Sequence, residues 1–123
     1  MSAAELLSRL EDILEAIAEI EAFIGEKTFD DYMAEPLLRR GVERDIEIIS
    51  EASRHIPKSL KSRYPLIPWR KVAGIGNVLR HGYKNVDDHE MWDNASTDLA
   101  PLKTSIQSMM LEVGSEPDGN HGR

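Results

Sequence analysis

With 123 residues and no cysteine, the chain is read as one domain whose core must come from apolar packing alone; disulfides and thiolate metal sites are excluded. Lys and Arg total 15 against 22 Asp and Glu, a net charge of -7 that argues against a polyanion partner unless charge is segregated along the chain. No apolar run approaches the roughly 18 residues of a membrane span, and Met1-Ser2-Ala3-Ala4-Glu5 lacks the regions of a signal peptide, so the expectation is a soluble cytoplasmic protein.

Abundant Leu, Ile, Glu and Ala with few aromatics predict helix throughout. Leu6, Leu10, Ile13, Ile17, Ile20 and Ile24 recur at alternating spacings of four and three, which defines a first helix with an apolar seam and Gly25 as its C-cap. Glu11, Asp12, Glu15 and Glu19 fall elsewhere on it and read as a solvated face. Thr28 with Asp31 forms a capping-box-like start for the second helix. Pro36 lies too deep for a first turn, so a kink or restart is expected there. Leu38, Val42, Ile46, Ile49 and Ala52 then carry the stripe to about Arg54.

Pro57, Pro65 and Pro68 mark an irregular connection. A third helix is expected from Pro68 or Trp69 to Gly82 or Tyr83, with Val72, Ile75, Leu79 and Tyr83 inward. A fourth runs from Asp88 to about Val113 through Trp92, Ala95, Leu99, Leu102, Ile106 and Met109, with a kink threatened at Pro101. Short loops make these an all-α, antiparallel four-helix up-and-down bundle over residues 1–113. Residues 114–123 are rich in breakers and polar groups, and a disordered tail is expected there.

Charge is segregated. Residues 52–86 hold eight Lys/Arg and no Asp or Glu: Arg54, Lys58, Lys61, Arg63, Arg70, Lys71, Arg80 and Lys84, with His55 and His81 among them. Such a stripe on an acidic chain is the electrostatic footprint of a polyanion partner. At about 100° per residue, His81 lies opposite the Val72–Ile75–Leu79–Tyr83 stripe, sharing an outer face with Asn77, Gly74 and Arg70. Two readings remain open from these residues. His81 either caps a helix C-terminus, where the dipole favours an imidazolium, or exchanges protons beside a bound phosphate, for which its ordinary pKa near 6.5 suits it. Glu47 and Glu51, one turn apart, read as solvated or as partners of basic residues rather than as metal ligands; no metal and no cofactor is expected.

Ile67-Pro68-Trp69-Arg70-Lys71-Val72-Ala73-Gly74-Ile75, followed by Asn77 and His81-Gly82-Tyr83, resembles the HepT-like branch of the HEPN superfamily. The segment Glu43–Ala52 is similar to that family's acidic "GEA" segment, with Ser50 where glycine is usual, and the resemblance covers residues 5 to 112. It implies a helical homodimer, the toxin of a toxin–antitoxin pair, acting as a metal-independent endoribonuclease. It also implies a minimal nucleotidyltransferase antitoxin that adenylylates the motif tyrosine, here Tyr83. By resemblance and charge together, His81, Arg80 and Asn77 are the catalytic candidates, and Arg70, Lys71 and Lys84 guide RNA by charge. Tyr64 and Trp69 are candidates for stacking on bases, with a core or interface anchor the favoured role for Trp69.

One departure stands out: the family arginine position holds Gly76. Either Arg80, one turn on, leans its guanidinium back toward that spot, or the site is dead and the chain is an inactive homodimer that binds its nucleotidyltransferase partner or RNA without cleaving it.

Overall fold

The computed structural model describes residues 1–81 and 87–115, and of His81 the backbone. The helices are α1 Ala3–Ile24, α2 Phe29–Ala34, α3 Pro36–Ser53, the single turn α4 Lys58–Lys61, α5 Trp69–His81, α6 Asp88–Asp93 and α7 Leu99–Ser115, with a π-helical turn Asn94–Asp98 between the last two. They build the expected all-helical antiparallel bundle. Helix α1 packs against both α3 and α7, and α3 also packs against α5.

The apolar seams are buried as their periodicity requires. Leu10, Ile13, Ile17 and Ile20 of α1 have no exposed surface and meet Val42 and Ile46 of α3 and Ile106 and Met109 of α7 in one core. Ser2 caps α1 and Thr28 caps α2, each in a capping box; the N–H of Asp31 donates to Thr28 Oγ1 over 3.2 Å and that of Thr28 to Asp31 Oδ2 over 2.9 Å. These contacts hold the Glu5 and Asp31 carboxyls below the usual range. Gly25 ends α1 at φ 44°, a conformation that side chains disfavour.

The prolines behave differently from one another. Pro36 restarts the chain as the first residue of α3, where its missing N–H costs nothing. Pro101 falls within the first turn of α7, and the widened turn Asn94–Asp98 stands immediately before it. A π turn of this kind relocates the carbonyl that a proline ring would otherwise meet, so the helical path continues. The connection after α3 is more ordered than its prolines imply. Pro57 sits just outside α4, and Ile56, Leu60 and Ile67 are buried, tying this stretch to the core.

A second small cluster joins α2 to α6. Phe29 stacks on His89 at 4.0 Å between centroids, and Tyr32 and Trp92 approach to 5.5 Å. Tyr32 is fully enclosed, its hydroxyl has no partner among the described residues, and burial pushes its pKa up. Among the described residues no helix is long and apolar enough to cross a membrane. Residues 116–123 of the expected tail lie outside the described residues.

Candidate active site

Helix α5 buries Ile75, Gly76 and Leu79 and exposes Arg70, Lys71, Asn77, Val78 and Arg80. The buried glycine is the key to its placement. A Cβ on Gly76 would overlap Oγ of Ser50 on α3 and lie 2.9 Å from the Ser50 Cβ. No side chain is tolerated at such distances. Gly74, by contrast, would meet nothing within 4 Å, so Gly76 alone of the pair permits a close helix approach.

Ser50 uses that closeness. Its hydroxyl donates to the Ala73 carbonyl over 2.7 Å and accepts the Gly76 N–H over 3.1 Å. Arg54 Nη2 donates to the same carbonyl at 2.9 Å. Ser53 turns inward and donates to the Ser50 carbonyl over 2.7 Å, so this buried polar patch is satisfied within the two helices.

Arg80 sits one turn beyond Gly76, and its Nη1 lies 3.8 Å from where a Gly76 Cβ would stand. Its Nη2 donates to Asn77 Oδ1 over 2.7 Å, and Nη1 faces Glu51 Oε1 at 3.7 Å. Glu51 also meets His55 Nε2 at 3.3 Å. The carboxylate is thus shared between two basic groups, the paired one of the two roles the sequence left open for it. Arg80 opens onto a groove that also takes in Arg9 and Asp12 of α1 and Arg44, Glu47 and Ile48 of α3.

Of the predicted site residues, Asn77 and Arg80 are therefore together. His81 follows directly as the last residue of α5, described by its backbone alone. Tyr83 and Lys84 lie outside the described residues. Arg70 is exposed, and Lys71 lines a separate apolar pocket with Ile46, Val72, Leu99 and Leu102. Tyr64 and Trp69 are engaged within the subunit. The Tyr64 hydroxyl donates to Glu112 Oε1 and lies 2.9 Å from Ser108 Oγ, while Trp69 Nε1 donates to the Tyr64 carbonyl over 3.1 Å. Lys61 lies 5.6 Å above the Trp69 ring, and burial together with the Lys58 charge lowers its pKa. Trp69 is held as a packing anchor. The cationic stripe is also partly neutralised from outside its own segment, since Arg63 pairs with Glu112 of α7.

Sequence reasoning missed three contributors: the Ser50 clasp, the facing of Glu51 to Arg80, and the arrival of Arg9 and Arg44 from outside the basic stripe. The i,i+4 spacing of Glu51 and His55 was a usable signal for that pair. For the others no local signal exists. Among the described residues no group of three or more His, Asp or Glu is placed to hold a metal ion.

A buried-faced basic helix carrying Asn77, Arg80 and His81, set in an all-helical bundle, defines the class, and comparison with known sequences agrees. The family described as ribonuclease HepT-like matches residues 13–109. A protein of Thermococcus cleftensis named "Probable ribonuclease HepT" is 39% identical over 100 residues, covering 81% of this chain and 91% of its own length. A Methanocaldococcus jannaschii protein named "Putative RNase MJ1380" is 29% identical over 107 residues, covering 87% and 98%. The chain belongs to the HepT-like family of the HEPN superfamily. No solved structure matches it.

Proposed function

We propose that this chain is a metal-independent endoribonuclease, the toxin of a toxin–antitoxin pair, acting as a cytoplasmic homodimer. Family membership and the ribonuclease names of its relatives support the reaction class. The observation that carries the reading onto this chain is the Arg80 guanidinium, folded back over Gly76 and bonded to Asn77 one residue before His81. It brings a cation to 3.8 Å from the root of the side chain that the family arginine would have at position 76.

In this mechanism a ribose 2′-hydroxyl attacks the adjacent phosphorus. The new O–P bond forms as the bond from phosphorus to the 5′-oxygen breaks, leaving a 2′,3′-cyclic phosphate and a free 5′-hydroxyl. One His81 takes the proton from the 2′-hydroxyl, and the His81 of the dimer mate supplies one to the departing oxygen. Arg80 and Asn77 hold the phosphate oxygens where charge develops, and Arg70, Lys71 and Lys84 steer the strand. The purified protein is expected to cleave RNA in the presence of EDTA, and His81→Ala to lose about a hundredfold or more of that rate. Equal cleavage by both proteins would refute the proposal.

A nucleotidyltransferase antitoxin that adenylylates Tyr83 completes the proposal, on the strength of the His81-Gly82-Tyr83 motif. Incubation with the antitoxin and ATP is expected to add one AMP to the intact mass, and Tyr83→Phe to abolish the adduct. An adduct that survives in Tyr83→Phe rules this assignment out.

A second reading, an inactive homodimer that binds its partner or RNA without cleaving it, is favoured by one observation. The guanidinium that would serve Gly76 is already held by Asn77 and faced by Glu51. RNA binding without cleavage, unchanged in His81→Ala, is its signature.

A further inference from the structure

We propose that Ser50 is a positioning residue of this site: it clasps α5 to α3 at Ala73 and Gly76, closes position 76 to any side chain, and so assigns the phosphate-binding guanidinium to Arg80. The proposal rests on the ribonuclease reading for the role of that guanidinium, but the clasp itself can be measured without any cleavage.

The geometry is that of two interlocking residues. Ser50 is fully buried, and its hydroxyl both donates to and accepts from α5 backbone, one bond to Ala73 and one from Gly76. Rotating the hydroxyl away would relieve its overlap with a Cβ on Gly76, at the loss of both bonds. It would not relieve the 2.9 Å approach to the Ser50 Cβ, which the α3 backbone fixes. Any residue other than glycine at 76 therefore has to push the helices apart.

That separation would reach the candidate site directly. Ser50 and Glu51 are neighbours on α3; the first grips Gly76 and the second faces Arg80, one turn further along α5. Arg54, one turn further along α3, grips Ala73. One turn of α3 thus sets both the distance and the register of the turn of α5 that carries Asn77 and Arg80. A single change of Gly76 to arginine cannot restore a guanidinium in a working position, because the Ser50 side chain already occupies its root.

The test has two arms. In the first, melting temperatures are measured for Gly76→Ala, Ser50→Gly and the double variant. Each single change is expected to lower Tm, and the double is expected to recover most of the Gly76→Ala loss, because glycine at 50 vacates the space that the new methyl group needs. In the second, affinity is measured for an RNA whose riboses are 2′-O-methylated and so cannot be cut. Arg80→Ala in the natural background is expected to weaken binding about tenfold. In the background of Ser50→Gly with Gly76→Arg, the same Arg80→Ala change is expected to cost less than about threefold, since a charge at 76 now serves. Additive Tm losses, or an Arg80 dependence undiminished in the double background, overturn the proposal, as does RNA affinity independent of Arg80 in the natural chain. Failure of every variant to cleave cuttable RNA, with both arms as expected, removes the nuclease reading and leaves the clasp standing.

Discussion

Replacing Arg80 with alanine is expected to lower the rate of RNA cleavage about a hundredfold or more while the fold remains intact. Arg80 meets a different environment in the free protein than in the transition state. In the free protein its side chain is one-third exposed, with the guanidinium bonded to Asn77 and 3.7 Å from Glu51. Exposed pairs of this kind contribute about 0–1 kcal/mol to stability, so Tm is expected to move by no more than a few degrees. In the transition state the same group would face charge building on the phosphate, where a preorganised donor matters far more than in the ground state. Arg80→Lys is expected to recover only part of the loss. Lysine keeps the charge but not the planar fork, which bonds Asn77 and would have further N–H donors for phosphate oxygens. Single-turnover cleavage with excess enzyme measures this, and an Arg80→Ala variant as fast as the natural chain would show that Arg80 does not serve the phosphate.

The second large effect is on stability and depends on pH. Asp45, on α3, is 3% exposed, and its Oδ2 has no hydrogen-bond partner among the described residues. Burial, reinforced by the neighbouring Glu19 carboxyl, pushes its pKa from the usual 3.8 up to about 7, with Arg44 opposing. The surrounding groove also holds Asp12 and Glu15, further negative charge that disfavours ionisation. Because the folded state holds this proton more tightly than the unfolded chain does, the stability it contributes is complete below about pH 4. It is lost progressively as pH rises to about 7. Asp45→Asn removes the titration. The variant and the natural chain are therefore expected to melt alike near pH 4 and to diverge up to pH 7–8. There the variant gains roughly 2–4 kcal/mol, because each tenfold difference in proton affinity between the folded and unfolded states is worth about 1.4 kcal/mol. Melting curves from pH 4 to pH 8 decide the matter; a gap independent of pH would mean that Asp45 is not the titrating group.

Why part of this was legible in the sequence and part was not follows from distance along the chain. The seams of α1, α3 and α7 were readable because helix burial repeats every three or four residues. The caps at Thr28 and Gly25 were readable because a cap acts within one turn. The backward lean of Arg80 toward Gly76 was readable for the same reason, being a property of a single helix. The turn α4 was hidden by its prolines. They advertise irregular backbone, but nothing local reports that Leu60 and Ile67 would find a core to enter.

The long helices α1, α3, α5 and α7, their buried faces, the family and the exposure of Asn77 and Arg80 on α5 follow from the amino-acid order alone. Each of these is set by neighbours within a turn or by a motif contiguous in the chain. It took the packed bundle to establish that Gly76 is an occupied contact rather than an empty place, that Glu51 faces Arg80, and that Asp45 is enclosed. Those facts join residues on different helices, Ser50 and Gly76 being 26 positions apart. They exist only once apolar burial has brought α1, α3 and α5 to packing distance, where a fraction of an ångström separates a hydrogen bond from a clash.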